Sequence, residues 1–126
     1  MSNTNKNILE LRFGRNIQGV RMCPDTWQLF QDEAIDLLKQ FAIDAEADTY
    51  WTEIHTGKGE WINDIGVKES EESAVATLYW TEHGLHDSDE RVEDAFASLE
   101  DAVVQLAYEY SQDAIAVVRG QSKLVS

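Results

Sequence analysis

Apolar residues recur with two different periods along this chain, and those periods divide it into strands and helices. From Ile8 to Phe13, Leu9, Leu11 and Phe13 alternate with Glu10 and Arg12, the signature of a half-buried strand. Gly14 and Gly19 bracket a loop. Pro24 suits the first position of a helix, where no amide partner is lost. Behind it Trp27, Phe30, Ala34, Leu37, Leu38 and Phe41 fall at helical spacing and predict a helix over 24–41. Thr49 to Thr56 carries Tyr50, Trp51, Thr52 and Ile54, which suit a pleated surface. Thr56-Gly57-Lys58-Gly59 reads as a turn, and 60–65 as a short returning strand. Ser73 to Trp80 alternates Ala74, Ala76, Leu78 and Trp80 against Val75, Thr77 and Tyr79, a central strand whose small alanines admit a close helix. A polar loop over 82–87 follows, with Asp87 and Glu90 as a reciprocal cap. The second helix spans 88–111, with Val92, Phe96, Leu99, Val103, Leu106 and Tyr110 on one seam. Ala114 to Val118 is the last strand.

The order strand, helix, strand pair, strand, helix, strand implies two βαβ units whose sheets merge. A ferredoxin-like split βαβ sandwich satisfies it: an α+β fold, mainly antiparallel, with both helices on one sheet face. At 126 residues, with no Pro/Gly/Ser-rich linker, one domain with a core over roughly 8–119 is expected. The other sheet face is left uncovered, and function or self-association is to be sought there.

Composition narrows the classes. Hydrophobic residues at 43% and charged residues at 27% belong to a folded globule rather than a disordered chain. The single cysteine, Cys23, excludes an internal disulfide or a thiolate metal cluster built from one chain, and fits a reducing compartment. At a helix start its thiol pKa is open to lowering, yet capping or packing is the simpler role. Met1 to Asn7 is polar, without the apolar run of a signal peptide, and nothing approaches the roughly 18 apolar residues of a membrane span. A cytoplasmic location is therefore expected. With 24 acidic against 10 basic residues, the chain carries a formal charge of −14. Such a surface repels phosphate backbones and anionic lipids, which argues against direct nucleic-acid or membrane binding and favours a basic protein partner.

Leu11-Arg12-Phe13-Gly14-Arg15 ahead of the Trp27/Phe30 helix, then Gly59-x-Trp61, Gly66 and Glu69-Ser70, then Tyr108, Tyr110, Gln112 and the 114–118 strand form a scattered pattern. It resembles a family of small, uncharacterised bacterial proteins with a ferredoxin-like fold. The likeness spans roughly residues 9–119 and rests on single residues; the proline usual after the glutamate is missing. It implies the fold and no reaction.

Candidate chemistry is sparse. Glu82, His83, His86 and Asp87 offer four metal ligands within six residues, but a solvated loop with capping acids explains them as well, and no cofactor or metal is expected. Alternation places Trp51, Glu53 and His55 on one side of their strand, where His55 and Glu53 form an acid–base pair without an identifiable nucleophile. Trp51 and Tyr79 share the phase of the open sheet face, which predicts a homodimer through it. Arg12 and Arg119 lie on neighbouring strands of such a sheet and would converge with Arg15 into an anion-gripping spot, against the plainer reading of internal salt bridges. The spacing from Gly14 to Gly19 lacks the Lys-Ser/Thr of a phosphate-binding loop.

The second helix carries two acidic rows away from its apolar seam: Asp89, Glu93 and Glu100, and Glu90, Asp94 and Asp101. Each spans roughly 16 Å, a few phosphate steps of a nucleic-acid backbone. The helix dipole accounts for Asp89 and Glu90 but not for Glu100 and Asp101. The leading expectation is thus a non-enzymatic acidic interaction module, an inhibitor imitating nucleic acid toward a basic, nucleic-acid-handling partner, as a phage anti-defence protein would. The alternative is a small-ligand binder or enzyme of the dimeric α+β barrel kind using Arg12, Trp51, Glu53, His55, Tyr79 and Arg119 on the open face. A purely structural dimerisation module ranks third.

Overall fold

A computed structural model describes residues 5–17, 19–62, 65–81 and 88–123. Strand β1 (Asn5–Gly14) leads through a two-residue bridge, β2 (Asn16–Ile17) with β3 (Val20–Arg21), into helix α1 (Pro24–Asp44). A long hairpin, β4 (Thr49–Ile62) and β5 (Lys68–Thr81), precedes helix α2 (Ser88–Glu109) and strand β6 (Ala116–Lys123). The main sheet runs β4-β5-β1-β6 and every ladder in it is antiparallel. This is the ferredoxin-like arrangement.

One side of the sheet is apolar because the period-2 phase agrees on the two central strands. Leu9 pairs with Leu78 and Leu11 with Ala76, and all four are fully buried. Both helices pack over that side. Phe30 of α1 lies between Phe13, stacked at 4.3 Å, and Tyr110, stacked at 4.4 Å. Phe41 meets Trp80 edge-on at 5.1 Å and Phe96 of α2 at 5.2 Å, so the two helices and the sheet share one aromatic core.

Three expectations need correction. Thr56 to Gly59 is no turn: these residues continue β4 and pair with 71–74 of β5. Two glycines suggest a turn, but nothing forbids them an extended backbone when a partner strand lies alongside. The chain reverses instead between Ile62 and Lys68, where Gly66 takes φ +80°. The last strand is Ala116–Lys123 rather than 114–118, because β1 extends back to Asn5 and offers it a full ladder. Helix α2 stops at Glu109, two residues early. There Ser111 enters the left-handed region at φ 53°, and its amide bonds to Tyr108 O while that of Gln112 bonds to Ala107 O. The same Schellman closure ends α1 at Glu46, φ 51°.

Candidate functional site

The uncovered sheet face collects most of the residues expected there. Register places Trp51 beside Tyr79 and Ile8, Glu53 beside Thr77 and Glu10, and His55 beside Val75 and Arg12. The Glu53 carboxylate is the hub. It accepts from the Trp51 indole at 3.4 Å and the Tyr79 hydroxyl at 3.3 Å, and His55 Nε2 stands 3.4 Å away. The Trp51 hydrogen bond, with His55 and Tyr79 behind it, holds the Glu53 carboxyl below its ordinary pKa. Burial, with Glu53 next, pushes the Tyr79 phenol up. Trp51 itself is 63% exposed. Arg12, on the same face, is tied to Glu10 through two hydrogen bonds of 2.9 and 2.7 Å.

The expected arginine cluster does not form. Arg119 pairs in register with buried Leu9, so it points to the helix-covered side, where it lies 4.3 Å over the Phe96 ring and bonds Glu93 at 2.9 Å. Arg15 continues the buried phase of Phe13. Alternation along the strand sends Arg12 to the open face and the other two to the covered side, where Arg15, just past β1, and Arg119, opposite Leu9, stand at different places along that strand.

The acidic rows of α2 also diverge. Glu93 is held at β6 by Arg119, while Glu100 of the same row is exposed and the side chain of Asp89 lies outside the described residues. Glu90, Asp94 and Asp101 are exposed, without an ion pair among the described residues. His83, His86, Glu82 and Asp87 lie outside the described residues, and among the described residues no group of three or more His, Cys, Asp or Glu is placed to hold a metal. Cys23 is exposed at the helix start, 3.1 Å from Thr26 Oγ1, a contact that lowers its pKa.

A better-formed site lies where β1 gives way to the β2–β3 bridge against the far half of the hairpin. A cleft of about 310 Å³ there is lined by Asn16, Gly19, Arg21, Lys58, Ser70, Glu71 and Glu72. Its floor is rigid. Arg15, 7% exposed at its side chain, donates to Met22 O at 2.9 Å and to Glu72 at 2.7 Å, and Arg21 reaches the same carboxylate oxygen at 3.1 Å. Arg15, chiefly through its hydrogen bond, keeps the Glu72 carboxyl below its ordinary pKa. Backbone bonds lock the corner: Arg15 N to Glu72 O and Met22 N to Arg15 O. Gln112 closes it from the other end of the chain, donating to Asn16 O at 3.2 Å.

Glu71 is the unusual member. Its carboxylate occupies the space a side chain on Gly14 would fill; a Cβ there would stand 2.6 Å from Glu71 Cδ. It accepts one hydrogen bond, from Asn16 N–H at 3.0 Å, and no cation among the described residues pairs with it. Lys58, also on the cleft wall, pairs in register with Glu72 and so projects from the opposite side of the hairpin to Glu71; it makes no ion pair among the described residues. Sequence reasoning missed Glu71, Glu72, Arg21 and Lys58 because they sit in ordinary strand positions. A signal was nonetheless present: Gly14, Arg15, Ser70 and Gln112 of the resemblance pattern all meet at this corner.

No family model matches the sequence, and no curated protein does either. Among solved structures, a phage SAM lyase in complex with S-methyl-5′-thioadenosine is similar at 11% identity and TM-score 0.53, covering 96% of this chain and 90% of that one. The phage SAM lyase in its apo state gives 14% identity and TM-score 0.56, with 97% and 90% covered. An amidase of the hydantoinase/carbamoylase family from Burkholderia multivorans is matched over 27% of its length, at 12% identity and TM-score 0.44. At such identities the likeness to the lyase extends to the fold. No helix among the described residues is long and apolar enough to cross a membrane.

Proposed function

We propose that this chain binds a small zwitterionic ligand, one bearing an α-amino-acid head, in the cleft beside the hairpin. The observation that supports this is the seated Glu71 carboxylate, which pairs with no cation among the described residues and lines a cleft whose wall also carries Lys58. An α-ammonium on Glu71 would complete its charge, with the α-carboxylate left to a basic group of the cleft wall, and charge-assisted hydrogen bonds of this kind are the strong ones. The cleft's volume lies at the small end of ligand sites. S-adenosylmethionine carries such a head together with a sulfonium cation suited to an acidic protein, and the phage SAM lyase with the same fold over nearly its whole length makes it the first compound to test. Calorimetric titration with S-adenosylmethionine and methionine is expected to show binding that Glu71→Gln weakens at least about tenfold. S-methyl-5′-thioadenosine, which lacks the amino-acid head, is expected to bind less tightly. Equal binding by the Glu71→Gln variant, or no heat from either amino-acid compound, overturns the reading. Chromatography of S-adenosylmethionine incubated with the protein tests turnover: appearance of S-methyl-5′-thioadenosine would make the site catalytic.

A second reading is favoured by how charge is divided between the layers. Helix α1 carries five acids against Lys39, and α2 seven acids against Arg91, together half of the chain's 24 acids. The outer helical layer is thus the part suited to a basic protein partner, as an inhibitor of a nucleic-acid-handling protein would use it. Reversal of Glu93, Asp94, Glu100 and Asp101 to lysine is expected to abolish capture of that partner with the circular dichroism spectrum unchanged; full-strength capture refutes it. Either function fits a cytoplasmic protein assembled as a homodimer through the open face around Trp51. Sedimentation of a monomer at high concentration, or an intact Trp51→Glu dimer, removes that assembly.

A further inference from the structure

The two helices do not close against each other along their outer seam. Small residues of α2, Ala95, Ser98 and Ala102, leave a groove whose wider end holds about 420 Å³ and whose narrower end holds about 100 Å³. Leu37 and Ala102 line both ends, so the groove is continuous. From Glu33 to Asp44 it runs about 16 Å along α1, three helical turns. Its floor is apolar, formed by Leu37 and Leu106, and its rim carries Glu33, Asp36 and Glu109, with Asp44 at the narrow end. Among the described residues no basic one lines it.

The negative charge at the wide end is uncompensated. Burial, with Glu33 beside it, pushes the Glu109 carboxyl above its ordinary pKa. Beneath the two helices the Tyr110 hydroxyl, on a residue 6% exposed, lies toward Glu33, and burial with Glu33 beside it pushes the phenol up. Glu33 Oε2 is buried, and no cation among the described residues pairs with Glu33. A buried carboxylate oxygen and a raised carboxyl on an acidic rim are groups that a cationic donor would complete.

We propose that this groove takes an amphipathic basic helix of a protein partner, with its aliphatic side chains on Leu37 and Leu106 and a lysine or arginine between Glu33 and Glu109. The inference rests on the second reading above and locates it: the anchor lies in the seam, not on the row of Glu93 and Glu100. The groove length matches the recognition pattern of a helix laid in an apolar channel, read at positions three and four apart. Uncompensated acids supply the sign of the partner.

The test uses the full chain and a fluorescently labelled peptide of about four helical turns, with leucine on one face and lysine on the other. A lysine peptide of equal charge without leucine is the control. Anisotropy is expected to show binding of the leucine–lysine peptide and at least about tenfold weaker binding of the control. Glu33→Gln with Glu109→Gln, and separately Ala102→Phe to fill the floor, are each expected to weaken it by about tenfold or more, with the helical spectrum retained. Glu93→Gln with Glu100→Gln is expected to weaken it less than either groove variant does. If the Glu93/Glu100 variant loses binding while the groove variants keep it, the groove proposal falls and the acidic-layer reading stands. If neither peptide binds, or both bind equally, the groove is overturned.

Discussion

Replacing Gly14 by alanine separates a seated carboxylate from an incidental one. The new methyl would stand 2.6 Å from Glu71 Cδ, well inside contact distance, while the Gly14 backbone tolerates a side chain because its φ is not positive. The Glu71 side chain is flexible and swings away, so the cost is the lost hydrogen bond from Asn16 N–H rather than a distorted sheet. A hydrogen bond to a charged acceptor contributes about 1.5 kcal/mol at the low end, appropriate to a half-buried site. Alanine in a strand regains about 0.5–1 kcal/mol over glycine. The net expectation is a loss of about 0.5–1 kcal/mol, measured as a lower urea midpoint with unchanged slope. The decisive quantity is the double-mutant cycle. In a Glu71→Ala background nothing occupies the space, so Gly14→Ala is expected to be neutral or to stabilise by about 0.5–1 kcal/mol. Under the ligand reading, Gly14→Ala alone also weakens amino-acid binding as Glu71→Gln does. If Gly14→Ala costs as much with Glu71 absent as with it present, the carboxylate is not what the glycine makes room for.

Other outcomes follow from the same geometry. Ser111→Gly is expected to stabilise by about 1 kcal/mol, because a non-glycine residue at φ 53° pays the left-handed penalty, and a thermal melt reads it directly. Phe30→Ala, between Phe13 and Tyr110, is expected to cost about 3–5 kcal/mol in urea unfolding; a loss below about 1 kcal/mol would mean the stacks are not packed as described. Glu72 has a folded pKa below its ordinary 4.5, so its contribution is present above that value and is lost as pH falls through the folded value. The stability gap between the wild type and Glu72→Gln should therefore narrow below pH 4.5, whatever the relief of acidic self-repulsion does to both proteins.

The ferredoxin-like order was legible because each element's period names its buried side. Leu9, Leu11 and Phe13 against Ala74, Ala76 and Leu78 determine the apolar sheet face, and Trp27, Phe30, Ala34 and Phe41 determine the face of α1 that covers it. The same alternation placed Trp51, Glu53, His55, Tyr79 and Arg12 on the opposite side. Hydrophobic periodicity is a local property, and local properties were enough for this much.

Only the tertiary structure decided what depends on which strands lie side by side. Gly57 and Gly59 read as a turn by themselves, and pairing with Ser73 and Glu71 makes them strand. Arg119 and Arg12 read as neighbours, and the pleat sends one to Phe96 and Glu93 and the other to Glu10. The cleft joins Asn16, Lys58 and Glu71, and Gln112 braces it from residues close to the last strand. No period along the chain encodes that meeting, because it depends on register between β1 and β5 and on the helix end that delivers Gln112. Charge behaved the same way: the count of acids was fixed by composition, but their pairing was set by packing, with Glu93 and Glu72 neutralised by arginines and Glu71 and Glu33 left without a cation among the described residues.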